Sequence, residues 1–457
     1  MEITYAKACE LIKAAEAPTS NLVELTKERL SELVGYAREH APLFGDLYRN
    51  VKDNSDLKSL PVTEKRSLMS RMDDWFCDRE VTREKLFAYL AQDLETPFLE
   101  KYTVLTTSGS TGMPMAMVRD ANHNAIHGAL MSLRFFRNID QALMQPAHSK
   151  IAAIIFTSGS VSSYSSLKKS MRANKAYVNN MLPISVLNPI DDIVKALNDF
   201  QPDVITGYPT VLALLANESE KGILNIHPKL IACSAETLSL ENYHYLKDTF
   251  GCAVLNNYCS TEGGEIAMSC SEGHLHLNSD WILVEPIDKE GKEVADDVLS
   301  DEVLITDLSN YIQPVIRYRV DDQVRIWHTP CKCGSRLPII EVIGRVEDSL
   351  CLCGKTISSV QILVLISKIS EFISNQFIQT NECCLEFRGT VADHTDKAAV
   401  VGKLKDAIHT LFASSGCPDA QLIITEKPVL KNPNGGKTKV IINQFAGKRK
   451  PNDSKCI

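Results

Sequence analysis

From residue 102 to residue 343 short apolar runs alternate with stretches of helical periodicity, and this alternation constrains the chain more than any other feature. The runs YTVLTTSG, KIAAIIFTSG, VITGY, LIACSAE and AVLNNY each end in or beside small or polar residues. Strands alternating with helices build α/β architecture, in which ligands gather at the carboxyl ends of the strands. The expected fold class is therefore α/β, with its chemistry at strand ends. Residues 1–95 read as a helical lead-in, with Val23, Leu30, Leu33, Val34 and Ala37 at helical spacing and Pro61 and Asp74 marking breaks. Near 344–350 the charged, glycine-containing GRVEDSL marks a boundary. Beyond it CCLEFRG and KLKDAIHTLFA carry strand and helix patterns of their own, so a large domain over 1–343 and a small α+β domain over 344–457 are expected. The polar tail GKRKPNDSKCI reads as frayed.

Charge and composition narrow the function classes. A net charge of -8 argues against broad nucleic-acid binding, which needs a basic face. No apolar run approaches the roughly 20 residues of a membrane span, and MEITYAKACELIKAAEA lacks the apolar core of a secretory signal. Fourteen cysteines in such a chain read as reduced thiols, some of them metal ligands, and a cytoplasmic location is expected.

The densest chemical signal is TTSGSTGMP at 106–114. Thr107, Ser108, Gly109, Ser110, Thr111 and Gly112 follow the apolar YTVL, so hydroxyls and glycines meet at a strand end. Glycine lets backbone N–H groups approach an anion closely, and hydroxyls add donors that follow phosphate oxygens. No GK[ST] follows, so this is not a Walker loop. Further along stand SAET at 234–237, YCSTE at 258–262, RYRVDDQVRI at 317–326, GRVEDSL at 344–350 and NPNGGKTKV at 432–440.

Taken in this order, the motifs resemble those of the adenylate-forming superfamily of acyl-CoA synthetases, specifically its phenylacetate-CoA ligase branch, over about residues 60–440. The resemblance implies a large multi-sheet adenylation domain followed by a mobile lid. It implies ATP, Mg2+ and coenzyme A as cofactors. Ala235 and Glu236 would border the adenine, Tyr258 would stack near it, Thr261 would touch the α-phosphate and Glu262 would bind magnesium. Asp322 would take the ribose hydroxyls, Arg345 would reach the nucleotide, Glu347 would be the hinge and Lys437 the catalytic lysine. The chain departs from the family at Met115, where many members carry lysine, at Cys259 for glycine, at Val320 and Asp321 for Thr-Gly, and at Glu347 for Asp.

Two sets of cysteine and histidine suit a closed tetrahedral zinc site. One is Cys270, His276, Cys331 and Cys333, drawn from SCSEGHLHL and PCKCGS. The other is Cys331, Cys333, Cys351 and Cys353, a CxC pair repeated across the hinge; it would lock together two domains that the implied mechanism rotates, so the first set is the expected one. Phe135, Phe136 and Tyr208 are candidates to line an acyl pocket. The implied reaction is adenylation of a small carboxylic acid, aromatic or biosynthetic, followed by thioester formation with coenzyme A. An acyl carrier protein or an amine is an alternative acceptor, and a catalytically silent nucleotide-binding protein is the reading from another class. A monomer or homodimer is expected.

Overall fold

The computed structural model describes residues 3–92, 96–106, 115–137, 139–145, 148–155, 157, 175–234, 236, 238–345, 349–358, 361–362, 365–366, 369, 371–391, 396–430 and 441–445. A nine-stranded sheet forms its centre. Across the sheet the strands run Asp322–Trp327, Ile339–Arg345, Leu275–Leu277, Gly264–Ser269, Ala253–Ser260, Leu230–Cys233, Val204–Gly207, Ile151–Ile155 and Met181–Ser185. From Met181–Ser185 to Ala253–Ser260 the pairing is parallel; beyond Ala253–Ser260 it is antiparallel. The parallel half carries crossover helices such as Ile190–Phe200, Pro209–Glu220 and Leu240–Phe250, as right-handed βαβ units require. Its strands are apolar on both faces: Ile151–Ile155 and Leu230–Cys233 are buried throughout. The helix Leu240–Phe250 stops at Gly251, whose φ of +63° supplies the left-handed cap.

The expected α/β class is thus observed, and four of the five apolar runs are strands of this sheet. The fifth differs. Of YTVLTTSG, the described Thr103–Thr106 pairs among the described residues with Ala116–Arg119 in a separate antiparallel hairpin. The outer edge of that hairpin is satisfied by side-chain amides: Gln313 accepts from the Val118 N–H at 2.7 Å and donates to the Ala116 carbonyl at 3.3 Å, and Asn310 donates to the Val118 carbonyl at 3.1 Å. Buried backbone groups need such partners.

The lead-in is helical at Tyr5–Glu16, Leu22–His40, Pro42–Leu47, Lys65–Ser70, Met72–Trp75 and Arg83–Ala91. Thr4, Asn21 and Thr82 cap three of these helices with side-chain oxygens. Leu30, Leu33, Val34 and Ala37 form the buried stripe, whereas Val23 is 65% exposed on the opposite face. Asp74 lies inside the short helix Met72–Trp75, and the break falls after it, at Phe76. These helices are held by distant parts of the chain. Trp75 donates its indole N–H to the Pro314 carbonyl at 2.7 Å, Cys77 donates its backbone N–H to Ile312, and Arg317 reaches the Leu60 carbonyl at 2.6 Å.

Residues after 349 fold around a core of their own. The strands Gln421–Thr425, Cys384–Val391, Phe372–Asn381 and Ile441–Asn443 lie side by side in that order. The helix Lys397–Ser414 and the hairpin Ser349–Leu352/Lys355–Ser358 enclose Leu350, Phe377, Phe387, Leu404 and Phe412 with them. Buried glutamines act as backbone surrogates here: Gln379 accepts from the Cys351 N–H at 2.8 Å and donates to its carbonyl, and Gln376 does the same for Leu430. Cys353 and Cys383 are joined in a disulfide, which corrects the expectation of wholly reduced thiols.

Candidate active site

The parallel pairing of three adjacent strands ends level, with Gly207 opposite Cys233 and Cys233 opposite Asn256. Tyr208 to Thr210, Ser234, Glu236, Asn257 and Tyr258 follow at the carboxyl edge, where open α/β sheets bind ligands. Side chains meet along it. Glu236 accepts from the hydroxyl of Thr210 at 2.7 Å and from its backbone N–H at 3.3 Å. Tyr258 donates its phenol O–H to the buried carboxylate of Asp322 at 2.6 Å, a contact between residues 64 apart in sequence. Asp322 begins its strand directly opposite Arg345, the last residue of the neighbouring antiparallel strand. Glu236, Tyr258, Asp322 and Arg345, which come from four separate motifs, are therefore placed along one edge.

Thr261 and Glu262 form the turn between Ala253–Ser260 and Gly264–Ser269, where parallel pairing gives way to antiparallel. Ser260 accepts from the Gly263 N–H at 2.8 Å and tightens that turn. The last residue of the small hairpin, Arg119, donates to the Thr261 carbonyl at 3.0 Å. This joins the open end of the hairpin, away from the hydroxyl-rich loop, to the acidic turn. The loop residues Thr107, Ser108, Gly109, Ser110, Thr111 and Gly112 lie outside the described residues, as do Ala235, Glu347 and Lys437. Met115 is fully buried, an environment that suits methionine and would penalise the lysine common at this position. Cys259 is exposed.

The aromatic trio does not assemble as one lining. Tyr208 packs in the cluster built on the parallel strands and their helices, whereas Phe135 and Phe136 meet edge to face at a centroid separation of 4.8 Å and pack in the other large cluster. Phe135 instead borders a cleft of about 280 Å³ that also touches Arg134, Tyr243, Leu255, Cys270 and Cys333.

Cys270, His276 and Cys333 line that cleft, and Cys331 joins them to make a group of metal-ligating type. The donor atoms of Cys270, His276, Cys331 and Cys333 all lie within 4.8 Å of one another. Cys270 follows a strand end and opens a tight turn closed by Gly273 at φ +83°; Cys331 opens another, closed by Gly334 at φ +83°. The Cys270 and Cys331 sulfurs are 3.9 Å apart, and Cys333 Sγ lies 3.3 Å from His276 Nε2. His276 Nδ1 donates to the Leu337 carbonyl at 2.8 Å, which leaves Nε2 as the coordinating nitrogen. Of the two sets open in the sequence, this is the one brought together. Cys351 and Cys353 stand on the separate hairpin of the C-terminal unit, with Cys353 bonded to Cys383.

A second group was not anticipated. His123 and His127, one turn apart on the helix Ala121–Leu130, stack with ring centroids 4.0 Å apart and meet Asp307, Ser309 and Glu265. Burial disfavours both imidazolium forms. For His123 it prevails, with repulsion from His127, and lowers the pKa to about 3. For His127, bonds to Asp307 and Glu265 outweigh burial and raise it to about 9. Gly264 stands at φ +65°, and a Cβ there would lie 2.6 Å from His127 Nδ1, so only glycine admits the ring. The HxxxH spacing in DANHNAIHGAL was the available sequence signal.

No family model matches the chain. The fold is nevertheless shared with a solved enzyme: a crystal structure of 2-hydroxyisobutyryl-CoA ligase in its postadenylation state superposes with a TM-score of 0.54 at 17% identity, covering 92% of this chain and 88% of that one. In sequence the chain is similar to the protein CapK of Staphylococcus aureus, at 24% identity over 87% of this chain and 84% of that protein. It is also similar to the phenylacetate-coenzyme A ligase of Thermus thermophilus, at 23% identity over 78% and 77%. The resemblance carried by the motifs is thereby borne out.

Proposed function

We propose that the chain is an ATP-dependent, AMP-forming acid-CoA ligase. The observation that carries this is the meeting of Tyr258 and Asp322, with Glu236 and the Thr261–Glu262 turn on the same edge. Such an edge suits a nucleotide: a phenol ring beside the base, and a carboxylate able to accept two ribose hydroxyls while still holding the Tyr258 proton. In the first half-reaction the carboxylate oxygen of the acid attacks the α-phosphorus of ATP, and the bond to pyrophosphate breaks. An acyl-adenylate results. Thr261 would donate to the α-phosphate, and Lys437 would bring positive charge to the oxygens of the transferring group. Magnesium, held by Glu262, would supply charge neutralisation on the phosphates. In the second half-reaction the sulfur of coenzyme A attacks the acyl carbon and AMP leaves. We place the domain boundary at 343/344 and the hinge at Glu347, about which the small domain would turn to exchange Lys437 for a path to the thiol.

Zinc suits Cys270, His276, Cys331 and Cys333. Three sulfurs and one imidazole nitrogen fill a tetrahedron and leave no open position, so this ion would be structural. The acid is read as aromatic or biosynthetic, with Tyr208 on the side of Glu236 and Phe135 and Phe136 on the side of the cleft. The reading is of a cytoplasmic enzyme; among the described residues no helix is long and apolar enough to cross a membrane.

The test is ATP–pyrophosphate exchange screened over aryl and alkyl acids, followed by AMP release with and without coenzyme A. Acid-dependent exchange with coenzyme A-dependent AMP release is expected, and Lys437→Ala should abolish exchange while the melting temperature stays unchanged. Exchange without stimulation by coenzyme A would move the acceptor to a carrier-protein thiol or an amine. No exchange with any acid would return the chain to a silent nucleotide-binding role.

A further inference from the structure

The buried group around Asp307 lies outside the proposed nucleotide edge and the cysteine cluster, and the ligase mechanism makes no use of it. Three elements build it. The helix Ala121–Leu130, started by Asp120 accepting from the His123 N–H at 2.8 Å, presents two imidazoles from one face. The strand Glu302–Asp307 ends at Asp307, two residues before Ser309. The strand Gly264–Ser269 brings Glu265. His123, Asp307 and Ser309 are fully buried and His127 is 5% exposed.

We propose that His123, His127 and Asp307 form a second metal site, which takes a divalent transition-metal ion, zinc by its donor set, with the Ser309 hydroxyl beside it as a fourth ligand. The donor atoms of the three residues already lie within 4.8 Å of one another. His123 Nδ1 is 3.2 Å from Asp307 Oδ2, and His127 Nε2 is 3.9 Å from Asp307 Oδ1. Tetrahedral zinc bound at about 2.0–2.2 Å spaces its ligands roughly 3.3–3.6 Å apart, so small side-chain movements close the set. Ser309 Oγ stands between them, 2.9 Å from His123 Nδ1 and 3.1 Å from His127 Nε2.

Three further observations favour an ion over a set of hydrogen bonds alone. Glu265 lies 2.5 Å from His127 Nδ1, on the ring edge away from Asp307; a carboxylate there fixes the tautomer that leaves Nε2 to coordinate. Asp307 Oδ2 is buried without an aligned hydrogen-bond donor among the described residues, although His123 Nδ1 lies 3.2 Å away, and an unsatisfied buried oxygen points to a missing partner. Asp307 and Glu265 bring two negative charges into the interior; a proton on His127 balances one of them, and a dication that displaces that proton balances both. Imidazole with carboxylate prefers zinc and its neighbours to magnesium or calcium. Because the site is closed, the ion would be structural. It would pin Glu265, and with it the Thr261–Glu262 turn three residues earlier, from behind. The strand Gly264–Ser269 would then carry a metal site at each end, since Cys270 follows it directly.

The experiment uses the full chain refolded in zinc and freed of loose metal. Elemental analysis should give about two equivalents of zinc. X-ray absorption of this wild-type protein needs no variant. One site of three sulfurs and a nitrogen, with another of two nitrogens and two oxygens, averages about 1.5 sulfurs and about 2.5 lighter atoms per zinc. An average near three sulfurs with one equivalent overturns the proposal and leaves the cysteine site standing; a sulfur-free shell with one equivalent supports it and removes the cysteine site. The Cys331→Ser/Cys333→Ser double variant, refolded in cobalt(II), should lose the near-ultraviolet thiolate band and keep weak visible bands of a nitrogen–oxygen site. In His123→Ala/His127→Ala the reverse is expected. A folded histidine variant that keeps two equivalents also refutes the assignment.

Discussion

The hydrogen bond from Tyr258 to Asp322 is the most direct point at which to perturb the proposed nucleotide edge. Tyr258→Phe removes one hydroxyl and leaves the ring in place. The bond is short, 2.6 Å, and its acceptor is a carboxylate only 6% exposed, so it is of the charge-assisted kind worth about 1.5–3 kcal/mol. Without it Asp322 loses the group that orients it, and the cost of ordering that carboxylate moves to the step in which ribose binds. Asp322 has further contacts that retain part of the order, so the lower end applies, and about 1.4 kcal/mol corresponds to about tenfold in affinity. The expected result is a KM for ATP raised about tenfold in pyrophosphate exchange, with kcat changed much less. Asp322→Ala should lose the ability to distinguish ATP from its 3′-deoxy analogue, which Tyr258→Phe should keep in part. Circular dichroism checks that both variants fold. A Tyr258→Phe enzyme within twofold of wild type for ATP would refute the argument, because the bond would then have no part in presenting Asp322 to the nucleotide.

Other outcomes can be checked by stability. Asp280 is fully buried and pairs with Arg134 through 2.7 and 3.1 Å bonds, with Arg29 at 4.0 Å; Asp280→Ala takes the carboxylate from buried Arg29 and leaves Arg134 with Glu16, so about 3 kcal/mol, the lower end for a broken buried pair, should be lost in urea unfolding, and a loss below about 1 kcal/mol would contradict the assigned role. Gly264→Ala forces a left-handed backbone on alanine and a Cβ against His127; at least about 1–2 kcal/mol of destabilisation is expected, and an unchanged melting temperature would mean the turn relaxes freely. Burial works against the Asp78 carboxylate, but the Tyr102 hydroxyl at 2.6 Å and Lys101 outweigh it and hold its pKa below the usual value. Its stabilising contribution is therefore present above the unfolded pKa, near 4, and is lost as pH falls through the lower folded value. The stability gap between wild type and Asp78→Asn should accordingly shrink between about pH 5 and pH 3, and a gap that widened on acidification would reverse the sign of this assignment.

Much of this arrangement was legible from local signals. The apolar runs ending at Gly207, Cys233 and Tyr258 announced their strands because parallel strands buried on both faces are continuous in apolar residues. SAET, YCSTE and RYRVDD could be ordered along the chain, but only the sheet shows that Tyr258 reaches Asp322 and that Asp322 faces Arg345. Phe135 and Tyr208 look alike as aromatic residues, yet they enter different cores, since Phe135 ends a helical run and Tyr208 caps the start of the helix Pro209–Glu220. The histidine pair was visible as a spacing. Its meaning was not, because Glu265 and Asp307 arrive from more than a hundred residues away and carboxylates are common. The Cys353–Cys383 bond was hidden for the same reason, its partners being 30 residues apart among fourteen candidates.

The lead-in helices have one further consequence, for synthesis. Trp75 closes on Pro314, Cys77 on Ile312, Thr63 on Arg317, Arg29 on Asp280, and Arg336 on the carbonyls of Ala17 and Pro18. A ribosome that adds about 5–20 residues each second must work for about 15–60 s after the first helices emerge before their docking surface exists. Through that interval the lead-in helices have only one another to pack against. The first part of the chain to appear is thus among the last to be completed, and it is the part a nascent-chain chaperone would have to shield.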